Sequence, residues 1–429
     1  MTAREAALRA LYEIDANGTY MNAALSETLR GGGLSAADRS LASELIYGVT
    51  INKLALDYII SKFSKIKIKK MTPWVLNILR MGIFQIYFMD KIPESAACNE
   101  AVKLAKKYSH RAGTGFVNGV LRSFARSAAV FEFPKGRSAA EELSIEYSYP
   151  LWITEKIIEE YGEGECRRLF AENSRPHRPY IRVNTLKTDA DSLIRRLSDE
   201  GVKCEKTELA NCLTVENGLN VNSSKAYSEG LFSLQNISSQ LAAELLEPEG
   251  GEFIIDMCAA PGGKSCAIAE RMGNTGKIIA FDIFEHKIEL IKKSAKRLGI
   301  DIIEARTKDS RTADPELLGK ADRVLADVPC SGLGVIHKKP DIKYSRSAED
   351  IAELCEIQRG ILENACGYVK DGGVLVYSTC TILPEENRKR IAEFLERHSG
   401  FSLVSESQLM TTEKGESGFY MCKLMKGKN

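Results

Sequence analysis

The sequence predicts a multidomain fold: an all-α helical bundle first, a small α+β module next, and a doubly wound α/β domain last. Three observations predict it. The chain has 429 residues, and at roughly 150 residues per domain that length suits two or three domains. Apolar positions keep a helical period through residue 127. From residue 236 onward, short apolar runs alternate with helical stretches, the pattern of a parallel sheet with crossover helices.

The bundle rests on recurring stripes. Leu8, Leu11 and Tyr12 share one helical face, as do Leu41, Leu45 and Val49, and later Phe116, Val117, Val120, Leu121 and Phe124. Thr72-Pro73 is a cap followed by proline at the first helical position, ahead of Leu76, Leu79 and Ile83. Pro93 opens a further helix carrying Ala97, Ala101, Val102 and Ala105, and Gly31-Gly32-Gly33 marks a break. About six or seven helices are expected over residues 1–127. Residues 128–145 lose the period and hold Pro134 and Gly136, which suits a linker. Residues 146–235 form the small module: Leu151–Tyr161 reads as helix, Tyr180–Asn184 as strand, Asp189–Glu200 as helix, with short apolar runs at Cys212–Val215 and Leu231–Leu234. Over 236–429 the apolar runs are Phe253–Met257, Lys277–Asp282, Ile302–Ala305, Arg323–Ala326 and Val374–Tyr377, and Gly418–Lys426 reads as a last strand. Glu285–Leu298 and Ala348–Val369 read as helices between them.

Composition removes other classes. A hydrophobic fraction of 44% with 27% charged residues is ordinary for a globular protein and argues against wholesale disorder or a collagen-like fibre. No apolar run is long enough to span a bilayer. The N-terminal MTAREAALRALYEID mixes charges with apolar residues and lacks a small-residue cleavage site, so a cytoplasmic, membrane-free protein is expected. The 11 cysteines include no CxxC pair, so neither a metal site nor a disulfide framework is expected. The net charge of +1 conceals an asymmetry: residues 1–137 hold 20 Lys+Arg against 11 Asp+Glu, and the remainder 39 against 47. A basic front end is either a solvated surface or a patch that meets phosphates.

Three motifs carry the chemistry. The first is Asp256-Met-Cys-Ala-Ala-Pro-Gly-Gly-Lys-Ser265, after a strand and opening a helix. Glycines there let backbone approach a ligand, and the helix N-terminus offers free N–H groups. A P-loop would need glycine at position 258, which is Cys, and no GxGxxG is present. Asp282, at the end of the next strand, can accept hydrogen bonds from two ribose hydroxyls. A ligand with ribose and no pyrophosphate fits, and S-adenosylmethionine is the obvious candidate; a structural glycine turn has the same spacing. The second motif is Asp327-Val-Pro-Cys-Ser-Gly-Leu-Gly334, and the third is Tyr377-Ser-Thr-Cys380 followed by Pro384-Glu-Glu-Asn387. Cys330 and Cys380 thus fall at the ends of neighbouring strands, where ligands of such sheets sit. The other nine cysteines read as small buried apolar residues.

On the strings DMCAAPGGKS, DVPCSGLG and STC-ILPEEN, residues 250–425 resemble the RNA cytosine-5 methyltransferases. RVNTLK around Asn184 resembles the small RNA-binding, RRM-like module that precedes their catalytic domain, and residues 1–127, with FVNGVLR, resemble the NusB-type helical RNA-binding fold. The combination resembles the RsmB (Sun/Fmu) branch, whose members methylate a cytosine of 16S ribosomal RNA. The resemblance implies a Rossmann-like class I methyltransferase domain and S-adenosylmethionine as cofactor. It implies Cys380 as nucleophile, Cys330 assisting release, and Asp327 hydrogen-bonding the cytosine ring. It also implies cofactor contacts from Cys258, Ala259, Ala260, Pro261, Gly262, Gly263 and Lys264 on the loop, Asp282 on the ribose, Asp309 near the adenine and Asp327 near the methionine end. The chain departs from the family at Lys308-Asp309, where Gly-Asp is usual, and at Gln235-Asn236, where an acid usually follows the glutamine.

RNA must also be held. The expected contacts are Lys62, Lys65, Lys67, Lys69 and Lys70, then Lys103, Lys106, Lys107 and Arg111, with Arg182, Lys338 and Lys339 closer to the cleft by sequence. A monomer is expected, with ribosomal RNA as partner. Two alternatives stand beside this reading: a tRNA cytosine-5 methyltransferase, and a non-catalytic RNA-binding or ribosome-assembly factor. Intact Cys330, Cys380, Asp327 and Lys264 argue against the latter.

Overall fold

The computed structural model describes residues 1–30, 33–136, 138–175, 177–217, 219–412 and 416–428. Gly31 and Gly32 of the expected break lie outside the described residues. The chain forms two compact units, Met1–Ser174 with Lys338–Ser345, and Arg175–His337 with Arg346–Asn429.

The first unit is helical. Helices span Ala3–Asn17, Met21–Arg30, Ala36–Ile51, Lys53–Phe63, Pro73–Tyr87, Glu94–Tyr108 and Arg111–Ala125. Side chains of Thr2, Ser35 and Thr72 accept from backbone N–H groups in the first turns that follow them, which satisfies donors the helix cannot. The Pro73–Tyr87 helix runs through the core, where Ile78, Leu79 and Ile83 are buried with Leu8, Leu45 and Leu121. Each such side chain contributes about 1.5–3 kcal/mol by leaving water. Gly48 is required there, because a Cβ would lie 1.9 Å from the Phe84 ring.

The helical unit runs further than the sequence suggests. Part of the expected linker at 128–145 is helical: Ala139–Glu146 forms a helix whose N-cap Ser138 accepts from Glu141 N. The Ser-x-x-Glu start signal decides the local structure despite nearby Pro134 and Gly136. Leu151–Asn173 follows as one long helix, broken at Gly162 with φ 83°. The separate piece Lys338–Ser345 completes the unit. There Lys343 is fully buried and donates to Ile51 O at 2.8 Å and Tyr147 O at 3.3 Å. Its ammonium lies 4.2 Å from the Tyr149 ring centre, and burial pushes its pKa well down.

The second unit holds two sheets. The first contains β1 (Tyr180–Val183), β2 (Cys204–Lys206), β3 (Cys212–Val215) and β4 (Phe232–Leu234) in the order β2-β3-β1-β4, with antiparallel pairing throughout. Helices Ala190–Asp199 and Lys225–Ser228 join them in the βαββαβ succession of a ferredoxin-like module. The second sheet contains β5 (Phe253–Asp256), β6 (Lys277–Asp282), β7 (Ile303–Thr307), β8 (Ala321–Asp327), β9 (Val369–Thr379), β10 (Phe401–Leu409) and β11 (Phe419–Lys426). Its order is β10-β11-β9-β8-β5-β6-β7. β5 through β9 pair in parallel, and β11 runs antiparallel to β9 and β10. The strand β10 carries no sequence signal, because it lies at the edge and most of its side chains are exposed. The parallel order places the C-terminal ends of β5, β6, β8 and β9 on one rim, and all three motifs lie there.

No helix among the described residues is long and apolar enough to cross a membrane.

Candidate active site

The rim is assembled from buried polar anchors. Asp256 ends β5 fully buried, and its Oδ2 accepts from Ser265 Oγ at 2.6 Å. Burial pushes its carboxyl up to about 7. The loop between them turns tightly: Gly262 N donates to Ala259 O at 2.7 Å, and Gly262 has φ 99°. A Cβ at Gly262 would meet Ile291 Cα at 3.2 Å, so both conformation and space select glycine.

A cavity of 530 Å³ opens beside this loop, within the usual range for small-molecule sites. Cys258, Ala260, Asp282, Asp309 and Asp327 line it, together with Ile283, Phe284 and Pro329. Asp282 accepts from Phe284 N at 3.1 Å, and Lys287 lies 3.6 Å away. Ile283 and Phe284 are half exposed, an apolar surface next to a carboxylate. That pairing suits a nucleoside, whose ribose hydroxyls meet the acid while its base lies on the apolar residues. Asp309 is engaged by Arg311 in a bidentate ion pair, and Arg311 holds its carboxyl below the usual range. Ser310 Oγ donates to Met257 O, which ties this turn to the glycine loop. Ala259 faces inward, packed with Ala280, Ile288 and Ile291. Pro261, Gly262, Gly263 and Lys264 shape the loop without lining the cavity.

Lys264 points elsewhere. Its ammonium lies 2.6 Å from Asp327 Oδ2, and Ser378 Oγ donates to Asp327 Oδ1 at 2.8 Å. Burial works against the Lys264 charge, but Asp327 outweighs it and the net shift is upward. Beyond Asp327 the two motif cysteines meet: Cys330 Sγ and Cys380 Sγ are 3.2 Å apart. The hydrogen bond with Cys380, then burial, push the Cys330 thiol well up.

Residues that the motifs contained, but to which the sequence assigned no role, hold the cysteines. Fully buried Glu386 accepts from Ser331 N at 2.8 Å and from Gln358 Nε2 at 2.9 Å. Asn387 Nδ2 donates to Thr381 O at 3.1 Å. Their signal was the PEEN string itself, two charged residues and an amide where a strand passes into a helix.

The expected RNA contacts divide. Lys62, Lys65, Lys67, Lys69 and Lys70 are all exposed around the short turn Ile68–Lys70. Lys106 and Arg111 are exposed, while Lys103 pairs with Glu100 at 2.6 Å and Lys107 with Glu5 at 2.8 Å. Lys338 and Lys339 are exposed, but they belong to the helical unit rather than to the unit containing the cleft. Arg182 does not fit the expectation. Its side chain is 7% exposed, and Glu270 binds it through two hydrogen bonds of 2.8 Å. It also donates to Gln235 and to Gly263 O at 2.8 Å, so it buttresses the glycine loop from β1. The reason is its place in a strand whose four residues are all buried. Glu363, Cys366 and His398 lie close enough for metal ligands. Glu363 and Cys366 meet opposite nitrogens of the His398 ring, at 2.5 and 3.9 Å, as a hydrogen-bonded chain does.

Three family models match the chain in order: the NusB family over residues 1–126, the ferredoxin-like domain of the RsmF/B-like methyltransferases over 149–222, and the 16S rRNA methyltransferase RsmB/F over 243–425. The chain is 37% identical to the probable ribosomal RNA small subunit methyltransferase B of Bacillus subtilis, over 99% of this chain and 98% of the relative. Among solved structures it resembles PH0851, with a TM-score of 0.83, 29% identity and 98% of each chain covered. It also resembles NSun6 from Pyrococcus horikoshii with SFG, with a TM-score of 0.57 and 26% identity over 64% of this chain and 97% of that one. From the similarity along its whole length, the chain belongs to the RsmB family of 16S rRNA methyltransferases.

Proposed function

We propose that this 16S rRNA cytosine-5 methyltransferase works by covalent catalysis, with Cys380 as nucleophile and Cys330 assisting release. The observation that carries the reading is the meeting of the two cysteines, 3.2 Å apart, beside an Asp327 fixed by Lys264 and Ser378. Carbon 5 of cytosine is a poor nucleophile. Addition of the Cys380 thiolate to carbon 6 turns the carbon 5–carbon 6 double bond into electron density on carbon 5. Carbon 5 then forms a bond to the methyl carbon, and the old methyl–sulfur pair stays on sulfur. Cys330, as thiolate, takes the carbon-5 proton, which re-forms the double bond and expels Cys380 as thiolate. A thiol suits both addition and departure. Asp327 hydrogen-bonds the ring and stabilises charge that develops there.

S-adenosylmethionine supplies the electrophilic methyl group. The residues that would hold it are Cys258, Ala260, Asp282, Asp309 and Asp327, which line the cavity, on a 258–264 loop that Pro261 to Lys264 shape. The donor set fits: Asp282 stands beside half-exposed Ile283 and Phe284. The target cytosine leaves its stack, or is already single-stranded, to reach the sulfurs. Lys62, Lys65, Lys67, Lys69 and Lys70 meet RNA phosphates, as their common exposure supports.

The test is transfer of a labelled methyl group from S-adenosylmethionine to 16S rRNA, with the product base mapped. Cys380→Ala abolishes transfer. Cys330→Ala accumulates a protein–RNA adduct that survives denaturation. Full turnover by Cys380→Ala would overturn the nucleophile assignment, and methylation of tRNA alone would overturn the substrate.

A further inference from the structure

Two adjacent residues grip the two cysteine turns, Glu386 chiefly at Cys330, with a further side-chain bond to Thr381 beside Cys380, and Asn387 at Cys380. Glu386 reaches the Cys330 side. Its Oε1 accepts from Ser331 N at 2.8 Å, and its Oε2 accepts from Ser331 Oγ. Gln358 Nε2 spans the turn, donating to Glu386 Oε1 at 2.9 Å and to Pro329 O at 3.0 Å. The residues before and after Cys330 are therefore both fixed. Asn387 reaches the Cys380 side. It accepts from Thr379 Oγ1 at 2.6 Å and donates to Thr381 O at 3.1 Å, so it brackets Cys380 in the same way. The halves are joined by Ser331 Oγ and Thr381 Oγ1, 2.7 Å apart, and by Gly334 N donating to Cys380 O at 3.0 Å. Glu386 and Asn387 are both essentially without solvent exposure, so these bonds act in a dry, weakly screened environment.

We propose that Glu386 and Asn387 form a two-residue clamp that sets the register of the two cysteines, Glu386 positioning Cys330 and Asn387 positioning Cys380. Neither touches the substrate; both are positioning residues. The proposal rests on the assignment of Cys380 to attack and Cys330 to release. The two steps need sulfur atoms at different points of one ring, and a displacement of about 1 Å costs on the order of 100-fold in rate. Adjacency in sequence makes the clamp rigid, because the two grips share one backbone. The arrangement weights the consequences of damage: loosening Glu386, most of whose bonds reach Ser331 and Gln358, impairs release most, and loosening Asn387, whose bonds bracket Cys380, impairs attack.

The experiment uses the full-length chain with Ser331→Ala, Glu386→Ala, Glu386→Gln and Asn387→Ala, and two readouts. The first is the rate at which a mild disulfide-forming thiol oxidant joins Cys330 to Cys380, followed by mass spectrometry of peptides. It reports the approach of the sulfurs whatever their catalytic roles, and Ser331→Ala and Asn387→Ala, which remove no charge, separate that approach from the effect of the Glu386 charge on the Cys330 thiol. The second is kcat, KM for RNA and the yield of denaturation-resistant adduct. Expected results are disulfide formation slowed about tenfold or more in the Ala variants. Adduct accumulates in Ser331→Ala and Glu386→Ala, and transfer is lost without adduct in Asn387→Ala. Glu386→Gln, which still accepts from Ser331 N and bonds Ser331 Oγ by donating its amide, restores most of the kcat, whereas Ser331→Ala loses the Oγ bonds to both Glu386 and Thr381; KM for RNA changes little throughout. Unchanged cross-linking in the Ala variants would overturn the clamp. If Glu386→Ala does not fold, Ser331→Ala decides the matter alone. Slowed cross-linking with no adduct in Cys330→Ala would leave the clamp standing and overturn the release assignment instead.

Discussion

The Lys264 ammonium lies 2.6 Å from Asp327 Oδ2, and this contact joins the glycine loop after β5 to the acid at the end of β8. Ser378 at the end of β9 holds the other carboxylate oxygen. Asp327 thus has its orientation fixed before substrate arrives. Lys264→Met keeps the length of the stem and removes the charge. We expect kcat to fall about 100-fold, with KM for RNA nearly unchanged, as single-turnover methyl transfer would show. A kcat within twofold of the parent would mean that Ser378 alone positions the acid.

Arg182 is a strut for the glycine loop, held by Glu270 and bonded to Gly263 O. Arg182→Met leaves Glu270 buried without its partner, and loss of about 3–5 kcal/mol of stability is expected. Denaturant titration measures it. Adding Glu270→Met to the same chain should recover most of the loss. The salt dependence of RNA affinity should stay as it was, which separates this role from phosphate binding.

The exposed lysines in the last turn of the Lys53–Phe63 helix and after it make the opposite prediction. Replacing Lys62, Lys65, Lys67, Lys69 and Lys70 by Ala should leave the melting temperature unchanged. It should weaken RNA binding and flatten the plot of log affinity against log salt, by roughly 0.7–0.9 for each phosphate that is no longer neutralised. An unchanged slope would remove this surface from the interface.

Asp256 gives a pH signature. Burial raises its folded carboxyl to about 7, whereas an unfolded Asp titrates near 3.9. Between those values the unfolded chain has released the proton and the folded chain retains it. The native state therefore loses stability from this group as pH rises from about 4 to about 7, by up to about 4 kcal/mol. Asp256→Asn removes the effect. The difference in stability between variant and parent should grow across that window in the variant's favour and level off above it.

Much of this was legible in the chain. The bundle helices declared themselves through apolar period and caps such as Thr72-Pro73, and the parallel strands through compact apolar runs. Edge strand β10 did not, since its residues face water and carry no alternation. Ser138 and Glu141 wrote a helix start into what composition presented as a linker. Within the site, chemically reactive types stood out: cysteines, acids and glycines in tight turns. Arg182 was misplaced because charge alone does not distinguish a buried partner from a distant phosphate; Glu270 lies far away in sequence. The roles of Glu386 and Asn387 were hidden for a related reason. A residue that acts by holding another is defined by what it reaches, and reach is set by tertiary structure.

The burial of Lys343 has a consequence for biosynthesis. The helical unit is discontinuous, and its last piece, Lys338–Ser345, is translated only after the glycine loop and the Cys330 turn. Domains generally fold as units, the N-terminal one first, but this one cannot close when Ser174 leaves the ribosome. The carbonyls of Ile51 and Tyr147 receive the Lys343 ammonium only later. A nascent chain stopped at residue 174 therefore holds an unfinished unit. The N-terminal unit acquires its final packing only in a chain that has already been extended through one of its two cysteine motifs.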